Sequence, residues 1–108
     1  MIQKGREMRD MIKVKVRGVA GVAKSMGGVD GYQEIAVPQA LTLRELLDIL
    51  VDRFGEDFRR IIYREKSKEL RRGMRILING RDIGVLGELE ARLEEGDRVS
   101  FLPPLSGG

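Results

Sequence analysis

The chain is 108 residues long, carries a net charge of +3, and contains neither cysteine nor histidine. That length supports one domain with a single two-layer core. The missing residue types exclude disulfides, zinc sites with Cys or His ligands, a cysteine nucleophile or persulfide, and every triad built on imidazole.

The first ten residues are polar and aperiodic, and are expected to form an N-terminal extension (1–10). Ile12-Lys13-Val14-Lys15-Val16-Arg17 alternates strictly, which predicts a strand with its valines inward and its cations outward. The stretch from Gly18 to Gly31 is glycine-rich and reads mainly as loop, with at most one weak helical turn through Val19, Ala20, Val22 and Ala23. Alternation resumes from Tyr32 to Val37, and Pro38 closes that second strand, antiparallel to the first.

Thr42 and Glu45 have the spacing of a capping box, and Leu41 and Leu46 that of a hydrophobic staple. Leu43, Leu46, Leu47, Leu50, Val51 and Phe54 recur at three- and four-residue steps, so the spacing predicts a helix with one apolar face, ended by Gly55. A short second helix is expected within Glu56–Tyr63, then a charged, solvated excursion from Arg64 to Gly73. Met74–Ile78 reads as a third strand, Asn79-Gly80 as a two-residue hairpin turn, and Arg81-Asp82-Ile83 as a short returning strand. Leu86, Leu89 and Leu93 suit a brief helical or 3₁₀ turn, and Gly96-Asp97 turns the chain into a last strand, Arg98–Leu102. The order implies an α+β fold, a ubiquitin-like β-grasp: a mixed sheet wrapped on one main helix, with first and last strands parallel at its centre.

Few groups in this body suit catalysis. Gly18-Val19-Ala20-Gly21-Val22-Ala23-Lys24-Ser25 resembles a phosphate-cradling loop, but Ala23 stands where that loop needs glycine. The stronger reading is a plain strand connection. Arg59, Arg60, Arg64, Lys66, Lys68, Arg71, Arg72 and Arg75 form a dense basic segment. With Tyr63 the one aromatic interleaved, nucleic acid is an unlikely partner, and a solvated face or an acidic protein partner is favoured. Asp48 and Asp52 share a helix face, a step that suits a hard cation, yet they read better as an exposed polar surface. Glu94, Glu95 and Asp97 form no evident acid–base pair. No metal site and no bound cofactor are expected. The longest apolar runs are far short of a bilayer span, and no signal peptide is visible, which points to a cytoplasmic protein.

The end of the chain is the exception. Phe101-Leu102-Pro103-Pro104-Leu105-Ser106-Gly107-Gly108 runs from a strand through two prolines to a diglycine. Prolines hold the backbone extended, and glycine lacks the Cβ that would clash in a narrow channel. The expected division is a body at 11–104 and an exposed tail at 105–108, with any chemistry on the Gly108 carboxylate.

These features resemble the MoaD/ThiS family of sulfur carriers, and the molybdopterin synthase small subunit in particular. The resemblance rests on Met11-Ile12-Lys13-Val14, the capped leucine helix, Ile78-Asn79-Gly80, and above all the block from Gly96-Asp97 through Pro103-Pro104 to Gly107-Gly108. It implies that Gly108 is adenylated and then thiocarboxylated, that Gly107 threads the activating enzyme's channel, and that Leu102, Pro103, Pro104 and Leu105 contact partners. Those partners would be a MoeB/ThiF-like adenylating enzyme, which consumes ATP in trans, and a MoaE-like large subunit of molybdopterin synthase. The chain would not be catalytic alone; it would supply sulfur for the molybdenum or tungsten cofactor. Alternatives are a ubiquitin-like modifier conjugated through Gly108 to lysines, a sulfur carrier for thiamine or tRNA thiolation, or a binding module whose tail is idle. The Gly18–Gly31 loop and the length of the Arg64–Arg72 insertion depart from the family's usual pattern.

Overall fold

The computed structural model describes residues 10–29, 31–85 and 88–104. Five strands make one sheet in the order β2-β1-β5-β3-β4: β1 Met11–Gly18, β2 Gln33–Pro38, β3 Arg75–Ile78, β4 Arg81–Asp82 and β5 Arg98–Leu102. β1 pairs with β5 in parallel at the centre, Val16 beside Val99 and Gly18 beside Phe101, and every other pairing is antiparallel. This is the expected ubiquitin-like β-grasp.

The main helix, α2 (Leu43–Phe54), crosses one face of this sheet. Its capping box is complete: the Thr42 hydroxyl accepts from the Glu45 N–H at 3.2 Å, and the Glu45 carboxylate accepts from the Thr42 N–H at 2.9 Å. Two backbone donors left over by the helix start are thereby satisfied. Leu43, Leu46, Leu47 and Leu50 are buried against Val14, Val16, Ile35, Val37, Ile76, Val99 and Phe101. Helix α3 (Glu56–Ile62) follows Gly55 directly and inserts Phe58, which meets Phe101 edge-on at 5.9 Å between ring centres.

Two segments differ from the reading above. The Gly18–Gly31 stretch contains a five-residue helix, α1 (Gly21–Ser25), whose Val22 is fully buried along with Met26 just beyond it. Glycine at position 18 is what permits this: a Cβ there would lie 2.6 Å from Val22 Cγ1 and 2.8 Å from the Ala23 nitrogen. Ile83, expected in β4, instead opens a 3₁₀ turn, Ile83–Val85. The cause is local, since the Asp82 carboxylate accepts the Gly84 N–H at 3.0 Å and bends the chain out of the ladder. Leu89 lies in a second 3₁₀ turn, Glu88–Glu90, and Leu93 is buried; Leu86 and the N-terminal nine residues fall outside the described residues.

Candidate functional site at the root of the tail

β5 delivers the chain end from the middle of the sheet. It is hydrogen-bonded on both flanks, to β1 and to β3, and the Phe101 carbonyl also accepts the Val19 N–H at 3.1 Å. Like β1 and β3 it carries a ladder on each flank, so the point from which the tail departs is fixed. Val99 and Phe101 point into the core, Ser100 and Leu102 to the outer face. Leu102, implied by the resemblance to contact partners, is half-buried opposite Arg75; Pro103 is half-buried and Pro104 exposed. Leu105, Gly107 and Gly108 lie outside the described residues.

Pro104 rests on Gly73. Gly73 has φ +86°, and a Cβ there would stand 3.1 Å from the Pro104 Cβ. The close approach therefore needs glycine twice, for its conformation and for the space. It ties the 64–73 excursion to the root of the tail. That excursion is ordered by backbone bonds from Arg64 N–H to the Glu69 carbonyl (2.8 Å) and from Arg71 N–H to the Ile62 carbonyl (2.9 Å), with a Tyr63–Leu70 bridge between them.

On the outer face of the sheet, β1 presents Lys13, Lys15 and Arg17, β3 presents Arg75 and Leu77, and β5 presents Ser100 and Leu102. Tyr32 folds over this face. The Arg17 guanidinium lies 4.8 Å from the centre of its ring, and its hydroxyl is 3.3 Å from Ser100 Oγ, which is buried as a result. Sequence reasoning passed over this cluster. Only the strand register brings together residues 17, 32 and 100, and no local pattern signals it.

The other candidates resolve into structure. Gly18 makes room for Val22, and Ser25 Oγ donates to the Val22 carbonyl at 2.7 Å, so neither serves a phosphate cradle. Asp48 pairs with Lys68 at 3.5 Å along a cleft of about 450 Å³ shared with Asp52, Arg59 and Tyr63. Burial pushes the Tyr63 phenol above its ordinary pKa, with the Asp48 charge adding to the effect, and its buried hydroxyl has no hydrogen-bond partner among the described residues. Asp82 is held below the usual carboxylate range chiefly by the Gly84 N–H and then by Arg75, 3.4 Å away. Among the described residues no helix is long and apolar enough to cross a membrane.

A five-stranded mixed sheet grasping one main helix, with its last strand central and followed by two prolines, defines a ubiquitin-like β-grasp protein. The chain belongs to the ThiS family, which it matches over residues 23–108, from the middle of α1 through the diglycine. It is similar to a ubiquitin-related modifier 1 homolog of Caenorhabditis elegans, at 33% identity over 78 residues, 70% of this chain and 78% of that protein. It is equally similar, at 33% over 70 residues, to a putative sulfur carrier protein of Archaeoglobus fulgidus, covering 65% of this chain and 77% of the other. Among solved structures, a putative molybdopterin converting factor subunit 1 from Pyrococcus furiosus superposes with a TM-score of 0.65 at 28% identity, covering 87% of this chain and 99% of that one.

Proposed function

We propose that the chain is a sulfur carrier acting through Gly108. An adenylating enzyme would join the Gly108 carboxylate to the AMP moiety of ATP, releasing pyrophosphate. Hydrosulfide would then attack the acyl carbon, expel AMP and, on losing its proton, leave a thiocarboxylate. The observation that carries this reading is the family match running through residue 108 onto a tail whose root is fixed between two strands. Sulfur from that thiocarboxylate would be delivered to molybdopterin, the reading favoured by the likeness to the Pyrococcus furiosus subunit. Leu102, Pro103, Pro104 and Leu105 would meet the adenylating enzyme and a MoaE-like acceptor, and Gly107 would pass the narrow part of the channel.

A second reading has its own support in the modifier homolog: an isopeptide bond from Gly108 to a lysine of a target protein. One experiment separates the two. The full chain is incubated with the adenylating enzyme, ATP and a sulfur donor, and its intact mass is measured. Exchange of one oxygen for sulfur is the carrier outcome, and a ladder of conjugates is the modifier outcome. A chain that keeps its original mass would sink both.

A further inference from the structure

We propose that the cleft between the 64–73 excursion and the tail root docks an acidic segment of the protein that receives the tail. This rests on the carrier reading above and adds a determinant of partner choice to it. The cleft, about 470 Å³, is lined by Arg64, Glu65, Arg71, Arg72 and Pro104.

Most cations of the basic segment are already matched. Arg59 pairs with Glu56, Arg60 with Glu56 and Asp57, Lys68 with Asp48, and Arg75 with Asp82. Lys66, which lines the neighbouring cleft, has no ion pair among the described residues, and at the tail-root cleft the matching is partial. Arg64 reaches Glu69 at 3.2 Å, but Arg71 donates from Nε only to the neutral Arg60 carbonyl, at 2.5 Å. Arg72 has no hydrogen bond or ion pair among the described residues. Two guanidinium groups without a carboxylate partner among the described residues therefore line one cleft, which also holds Glu65, on a backbone pinned to Ile62 and to Pro104.

Position selects the occupant. Four residues beyond Pro104 span at most about 14 Å, so whatever closes over Gly108 must bring its own surface to within about that distance of the cleft. Chemistry narrows it further: the planar guanidinium fork suits carboxylates. No aromatic side chain lines the cleft to stack a base, which disfavours nucleic acid.

The test uses ATP–pyrophosphate exchange by the adenylating enzyme that accepts the full chain, with KM reading docking and kcat reading chemistry. The double variant Arg71→Glu/Arg72→Glu is expected to raise KM roughly tenfold and to flatten its dependence on salt, with kcat held within about twofold. Arg72→Glu alone, which breaks no bond in the fold, raises KM by part of that, and lysine at both positions restores most of it. An active chain whose KM is unmoved by either glutamate variant overturns the proposal. If the wild-type chain drives no exchange, the carrier reading has failed, and docking is then read by titrating the isotopically labelled full chain with hexaglutamate. Saturable shifts at the amides of Arg64, Glu65, Arg71 and Arg72, lost in the double variant, support the acidic dock; absence of those shifts overturns it. Oligouridylate of equal charge binding there at lower concentration assigns the cleft to nucleic acid and also overturns it.

Discussion

At Gly73 the backbone sits at φ +86° with Pro104 3.1 Å from where a Cβ would be. Gly73→Ala is accordingly expected to destabilise the fold by about 1–3 kcal/mol, through left-handed strain and displacement of Pro104. Urea denaturation measures the loss. The same substitution should shift the amide resonances of β5 more than those of β2, because the push falls on the tail root. Tyr63 makes the opposite case. Its hydroxyl is buried without a partner among the described residues, so Tyr63→Phe removes a desolvation cost and should stabilise by about 1 kcal/mol. It also removes a pH response. With the folded pKa raised by burial, the unfolded chain ionises first, near pH 10. Stability is therefore complete below that pH and falls as pH rises toward the folded value. Thermal melts above pH 10 should decline more steeply for wild type than for Tyr63→Phe; parallel curves would contradict this account.

Among the elements, α2 is the one whose start is written in full by four adjacent residues. Thr42→Ala breaks the box and should cost about 1 kcal/mol, seen as a lower urea midpoint with unchanged slope. α1 shows how an element can be missed. Its residues carry weak helical propensity and are hemmed by glycines, so local reading leaves them as loop. Tertiary burial of Val22 and Met26, with Gly18 vacating the space, makes them a helix. β4 fails for a different reason. The Asn79-Gly80 hairpin implies a returning strand through Ile83, while one carboxylate–amide bond from Asp82 ends it a residue sooner. The 64–73 excursion was legible as charged and solvated; that it curls back to place Arg71 and Arg72 beside Pro104 was not.

On the scale of the whole molecule, the proposed function leaves the body to hold its shape and puts the chemistry on the tail. Core packing centres on Leu43, Leu46, Leu47, Leu50, Phe58 and Phe101, all well upstream of the diglycine. Deleting Gly107 and Gly108 should therefore leave the melting temperature within about 2 °C of wild type while abolishing any change of mass at the C-terminus. Calorimetry and intact-mass measurement on the same preparation check both halves, and a truncated chain that still gains sulfur would refute a role for the tail.

What could be read from sequence alone was whatever depends on neighbours in the chain. The alternation of β1, the Thr42–Glu45 box, the Asn79-Gly80 turn and the two prolines ahead of the diglycine are patterns a few residues long, each with a local physical cause. They were enough for the β-grasp and for the family. Tertiary structure decided the rest, because it rests on pairings between residues far apart in the chain, 68 positions for Tyr32 and Ser100. The stacking of Tyr32 on Arg17 over Ser100 follows from the register of three strands, and the seating of Pro104 on Gly73 from the path of the excursion. Registers of that kind are set by the fit of a whole core, which no short window of sequence contains.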